Sequence, residues 1–249
     1  LDLKYNVPAL ERANAVLSLL SQDPYRWKLS DLSKELGISK STLYSLLVTM
    51  ERLKWINRDR NDAYAIGSTM GQFGSAFFRQ YDLIEDFQRL ADPIMRRLQE
   101  SIQLAILDGS DVLYLAKVEA SSPVQMVSGP GVRFPAHATG LGKSLLTGFN
   151  EEQIRSLFPQ EKLSRVTVHT IVSRETLIEE VIAGRQAGYT NDIQEGVMGF
   201  CCVAAPIRRP NGNIAAAVSC SMPIHHWEGK KDQALHEVIE LAKLLSPAH

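Results

Sequence analysis

The sequence predicts an α+β protein in two parts, and three observations carry that prediction. Residues 29–53, LSDLSKELGISKSTLYSLLVTMERL, read as two short helices about a tight turn. A run of aromatics at helical spacing follows from Ser68. Beyond Ser101, short β-branched stretches and amphipathic stretches mix in the manner of an α+β domain.

Taken in order, Pro8 to Leu20 predicts a first helix with Leu10, Ala13, Leu17 and Leu20 on one stripe, since proline is at home in a first helical turn. Ser30 is expected to cap the next helix, and Leu29, Leu32 and Leu36 recur at its spacing. Gly37 ends it, Ile38 plugs the turn and Ser39 caps the helix that follows. There Leu43, Leu46, Leu47, Met50 and Leu53 share one face. The opposite face carries Ser41, Tyr44, Ser45, Val48 and Arg52 and no acid. Short hydroxyls near a helix start, with Lys40 and Thr42 beside them, suit insertion into a DNA major groove.

Lys54 to Arg58 and Ala63 to Ile66 then predict two strands about the turn Asp59-Arg60-Asn61-Asp62. This is a wing, and Arg58, Arg60 and Asn61 are its candidate DNA contacts. The DNA-reading part is thus a winged helix-turn-helix over residues 1–67, its contacts Ser39, Lys40, Ser41, Thr42, Tyr44, Ser45, Arg58, Arg60 and Asn61. Met70, Phe73, Phe77 and Tyr81 follow along a helix over residues 68–82, flanked by Phe78. So many aromatics on a linking helix predict cover by a partner chain, hence a linker and dimerisation helix. Asp82 opens another helix with a stripe of Leu83, Phe87, Leu90, Ile94 and Leu98, which Pro93 is expected to kink or restart.

In the second part, residues 83–249, strands are expected at Gln103–Leu107, Val112–Val118, Val124–Val127, Tyr189–Gln194, Phe200–Ile207 and Ile214–Met222. Helices are expected at Leu141–Phe149, at Glu151–Leu157 behind an Asn150/Gln153 capping box, at Arg174–Ala187 between Ser173 and Gly188, and from Lys230 to Leu245. No repeat or low-complexity segment is present.

The composition, 249 residues of which 45% are hydrophobic and 22% charged, excludes a disordered chain. The net charge of −1 hides an asymmetry, because residues 1–67 carry ten Lys/Arg against eight Asp/Glu. Three cysteines, an odd number with two adjacent, predict a reducing cytoplasm. No apolar run reaches the roughly 20 residues of a membrane span, and no basic-then-apolar leader is expected.

Ala138 to Lys143, ATGLGK, ends a loop and opens a helix, offering backbone N–H groups to an anion. A nucleotide-binding P-loop is excluded, because His137 stands where that motif needs its first glycine. Ser219 and Ser221 alternate on one strand face, and Cys202 on the paired strand points the same way. Cys202 with Asp192 and His225 or His226 could make a nucleophile set, but nothing in the spacing demands it and no catalytic residue is assigned. Cys202 and Cys220 with the histidines lack the paired ligand spacing of a metal site, so no metal and no cofactor is expected.

The order of VPALERANAVLSLL, the helix-turn-helix, the wing ending YAIG, RFPAHATGLGKSLL, GYTNDIQEGVMGFCCVAAPI and AAAVSCSMP resembles the IclR family of bacterial transcription regulators along nearly the whole chain. The resemblance implies a winged helix-turn-helix, a linker helix and a GAF-like effector-binding domain with a central antiparallel sheet. It also implies a homodimer or dimer-of-dimers on a pseudopalindromic double-stranded operator, acting as a repressor of a catabolic operon. Metal-responsive and activator-type regulators of this architecture are the alternatives. Carried onto this chain, the family's effector site falls on Phe134, Gly140, Leu141, Asp192, Cys202, Ser219 and Ser221. An acid at Asp192 beside a carboxylate ligand further predicts that the ligand carries a donor: a small hydroxy acid, hydrated oxo acid or semialdehyde.

Overall fold

A computed structural model describes residues 6–121 and 128–246. The expected strand at Val124–Val127 lies outside the described residues. The chain forms two compact units, Leu1–Tyr81 and Asp82–His249.

In the first unit, helices α1 (Pro8–Gln22), α2 (Leu29–Leu36) and α3 (Lys40–Arg52) enclose a core of Val16, Leu20, Leu32, Leu43, Leu47, Met50 and Ile56. The α1 stripe is rotated from the expected one: Val16 is fully buried and Leu10 is exposed. Gly37 takes a left-handed φ of 64° and ends α2 as expected, and the Ser39 hydroxyl accepts the Thr42 N–H at 3.3 Å. Ser30, however, does not cap α2. Lys28 holds that position and Asp31 reaches back to accept its N–H at 3.2 Å, because Ser30 already lies inside the first turn. Leu53 ends α3 and is exposed.

The wing has one strand more than expected. β1 (Trp27–Lys28) and β2 (Ile56–Arg58) flank β3 (Ala63–Ile66), all antiparallel. Helix α4 (Ser68–Phe78) completes the unit; it buries no residue, and Phe77 stacks edge-on with Phe78 at 5.3 Å between centroids.

The second unit opens with α5 (Leu83–Leu98), which runs unbroken through Pro93. Its buried stripe of Phe87, Ala91, Ile94 and Leu98 packs on the sheet and holds it helical, so the expected restart does not occur. Strands β4 (Ser101–Asp108), β5 (Asp111–Val118), β6 (Arg133–Pro135), β7 (Thr190–Ile193), β8 (Phe200–Arg208) and β9 (Ile214–Pro223) form one antiparallel sheet in the order β6-β5-β4-β9-β8-β7. The central β9 and its neighbours are buried on both faces. One face takes α5 and α9 (Ile224–Leu245). The other takes α6 (Gly140–Leu146), against which α8 (Arg174–Ala187) packs, with α7 (Glu151–Leu157) behind. The caps expected for α7 and α8 form: Asn150 and Gln153 bond reciprocally, and Gly188 ends α8 at φ 80°. Helix α9 begins six residues earlier than expected, so His225 and His226 lie in its first turn and not on a loop.

Candidate functional site

The outer face of α3 is built by its inner one. With Leu43, Leu47 and Met50 buried, the helical period leaves Ser41, Thr42, Tyr44, Ser45 and Val48 exposed, together with Lys40 in the first turn. The Ser45 hydroxyl donates to the Ser41 carbonyl at 3.2 Å, so its oxygen faces outward as an acceptor, and Ser39 and Thr42 share a bond of 2.9 Å at the cap. At the wing, Asp59 accepts the backbone N–H groups of Ala63 and Asn61 at 2.8 and 2.9 Å, which ties the turn and holds the Asp59 carboxyl below its ordinary range. Arg58 differs from the expected free cation. It sits on β2, paired with Asp62 at 2.5 Å and 5.9 Å from the Tyr64 ring centre, whereas Arg60 makes no side-chain bond among the described residues.

In the second unit, Phe134, Leu141, Asp192, Cys202 and Ser221 converge on one small cavity. Tyr114, Thr139, Gly196, Val197, Phe200 and Cys201 complete its wall. The sheet register makes this convergence: Cys202 pairs with both Asp192 and Ser221, which places three side chains in one row. Tyr114 and Phe134 meet edge-on at 6.1 Å to form the apolar end.

Two expected members stand back from this wall. Gly140 packs against the sheet, where a Cβ would lie 2.7 Å from the Cys202 Sγ, and its carbonyl accepts the Thr190 hydroxyl at 2.7 Å. At the same helix start Thr139 already accepts the Gly142 N–H at 3.0 Å, so part of the expected anion seat is occupied by the chain itself. Ser219 is fully buried and donates to Gln103 Oε1 at 2.9 Å, as Ser221 does at 3.2 Å.

Asp192 dominates the electrostatics. Burial, and secondly the nearby Glu195 carboxylate, push its carboxyl up to about 7, against the pull of the Glu195 and Gly196 backbone N–H groups and of Lys143. The Glu195 N–H bond is 2.6 Å long and folds the loop that follows β7 into the cavity wall. Lys143 is 1% exposed and pairs with Glu195 at 2.7 Å, so it is spent on that acid and not offered to the cavity. Burial, then Asp192, also hold the Cys202 thiol well above its ordinary range, which leaves it a neutral wall group and a poor nucleophile. Among the described residues no three His, Cys, Asp or Glu are grouped to hold a metal ion.

Sequence reasoning missed Gln103, Tyr114, Lys143 and Glu195. Lys143 carried a readable signal: it lies among small and apolar residues in GLGKSLL, and a lysine on an inward helix requires a buried acid. Among the described residues no helix is long and apolar enough to cross a membrane.

Comparison with known proteins places both units. Residues 9–60 match the IclR helix-turn-helix domain, and residues 75–246 match the bacterial transcriptional regulator IclR C-terminal domain. The chain is 33% identical to the transcriptional repressor AllR of Escherichia coli K12 over 220 residues, 86% of this chain and 80% of AllR. It is 31% identical to the transcriptional regulator XynR of the same organism over 216 residues, 86% of each chain. The crystal structure of Thermotoga maritima IclR superposes with a TM-score of 0.74 at 26% identity, covering 97% of this chain and 100% of that one. A helix with an exposed face of hydroxyls, a wing, and a cavity in a separate α+β unit are what a ligand-responsive DNA-binding protein needs, and the chain belongs to the IclR family of bacterial transcriptional regulators.

Proposed function

We propose that the chain represses a catabolic operon and is released from its operator by a short hydroxy acid, oxo acid or semialdehyde. Residues 1–67 read a pseudopalindromic operator, α3 entering the major groove through Ser41, Thr42, Tyr44 and Ser45 while Arg60 and Asn61 reach phosphates. Residues 68–82 link and dimerise, through the Phe73, Phe77 and Phe78 face of α4. Residues 83–249 take the effector, and a dimer of dimers in the cytoplasm is the working assembly. AllR, covered over most of its length, is a repressor by name, which supports the sign of regulation.

The observation that carries the ligand class is the charge balance of the cavity. Its wall holds one carboxyl, Asp192, raised to about 7, and no lysine, arginine or histidine. A carboxyl poised between its two forms can accept from a ligand hydroxyl or donate to a ligand oxygen, so it suits a hydroxy or oxo acid in either form.

The test is a gel shift on DNA flanking the gene, with wild type and Ser45→Glu, each with and without a panel of short acids. The wild type is expected to bind and to be released tenfold to a hundredfold by one of the acids. By linkage that acid binds the free protein about 1.4 to 2.8 kcal/mol more tightly than the complex. Ser45→Glu is expected to lose specific binding, because its acid meets the phosphate-lined groove. Undiminished binding by that variant refutes the α3 reading, and an operator complex indifferent to every acid refutes the effector class.

A further inference from the structure

Gln103 stands at the centre of the sheet on the face that packs against α6, directly opposite Ser219 in the β4–β9 register. It is fully buried, and its Oε1 accepts the hydroxyls of Ser219 at 2.9 Å and of Ser221 at 3.2 Å, the second of which lines the cavity. Its Nε2 has no partner among the described residues. Buried polar atoms are almost always satisfied, so a Gln103 amide left unpaired beside the cavity-lining Ser221 calls for a further partner.

A count of donor protons shows what that partner is. The two serines and the amide own four. With Oε1 toward the serines, both hydroxyl protons are used and both N–H protons of Nε2 are left over. With the amide turned over, both N–H protons go to the serine oxygens and both hydroxyl protons are left over. In either placement the set has two donors too many. A surplus of two neutral donors is matched by an oxygen acceptor with several lone pairs, and a carboxylate is the compact group that offers them.

We propose that Gln103 is an effector-binding residue, its side-chain amide taking a carboxylate oxygen of the ligand directly or through Ser221. This rests on the effector reading above and gives that ligand an orientation, with the carboxylate toward Gln103 and the hydroxyl or carbonyl toward Asp192.

The test is calorimetry on the full chain with glycolate, lactate and pyruvate, using wild type, Gln103→Met and Gln103→Glu. The acid that binds wild type is expected to bind Gln103→Met at least tenfold more weakly. Gln103→Glu, which keeps the outline but has no N–H to give, is expected to lose at least a hundredfold. In the wild type, which needs no variant to fold, the Gln103 side-chain amide signals in a nitrogen–proton correlation spectrum are expected to move downfield on saturation with that acid. Equal affinity for wild type and Gln103→Met, or amide signals that stay in place while the acid binds, overturns the role of Gln103 and leaves the effector class standing. Failure of all three acids to bind wild type overturns both.

Discussion

Replacing Asp192 by Asn should remove a pH dependence that the fold otherwise carries. The carboxyl is raised from 3.8 to about 7 in the folded chain, chiefly by burial and then by Glu195. Between those values the folded state holds a proton that the unfolded state has released, so stability falls as pH rises, and it levels off above the folded value. Each tenfold gain in proton affinity is worth about 1.4 kcal/mol, so the whole effect is about 4 kcal/mol, and the part between pH 5 and pH 8 is between about 2 and 3 kcal/mol. The Asp192→Asn side chain keeps an oxygen for the Glu195 N–H but cannot titrate. The variant should therefore start lower at pH 5, where its amide N–H₂ faces the Gly196 N–H, and lose much less on going to pH 8. Trp227 lies in the second unit while Trp27 and Trp55 lie in the first, so urea unfolding read at Trp227 in a Trp27→Phe, Trp55→Phe background reports the effector domain alone. The other titrating groups are common to both proteins, and the difference of slopes isolates Asp192. Parallel stability curves for the two proteins would show that Asp192 is ionised in the fold, and the ligand argument built on its proton would fall.

Three further outcomes follow from particular contacts. Gly142→Ala places a methyl 2.1 Å from the Ala136 carbonyl oxygen and 2.4 Å from its Cα, a backbone clash expected to cost on the order of 3 kcal/mol or to unfold the second unit, visible as an early thermal transition. Arg60→Ala should weaken every DNA sequence alike and flatten the slope of log affinity against log salt by about 0.9 if it meets one phosphate, whereas an unchanged slope removes the wing tip from the interface. Phe77→Lys should dissociate the oligomer in analytical ultracentrifugation and lower operator affinity with it; a wild-type chain that sediments as a monomer at micromolar concentration would sink the α4 interface.

What could be read from the sequence follows the range of the forces involved. Gly37, Ser39, Ser173, Gly188 and the Asn150/Gln153 pair act within four residues, and each ends or caps its helix as read. β1 is two residues long and exists because it pairs with β3, with Trp27 opposite Tyr64, so no local pattern announces it. Pro93 reads as a kink or a restart, and the restart does not occur because a buried stripe on both sides of it outweighs one missing hydrogen bond. The candidate site divides the same way. The small and polar residues of the glycine block and of the last strand are legible as motifs. Gln103, by contrast, owes its role to partners 116 and 118 residues away, of which an isolated glutamine carries no sign, and the apolar neighbours of Lys143 announce a buried acid but not that it lies 52 residues on.

Ser101 is the register partner of Ser221, the serine in the cavity wall, and α5 ends only three residues before it at Leu98. Sixteen residues of α5 make a rod about 24 Å long, clamped along one side by Phe87, Ala91, Ile94 and Leu98. Its far end, Leu83, is the second residue of this unit, and the chain arrives there from α4, which ends at Phe78. Rocking the β4–β9 pair by about 5° at one end of such a rod sweeps the other by about 2 Å. The α5 rod is thus tied at one end to the strand pair that carries Ser221 and at the other to the segment of chain that leaves the first unit.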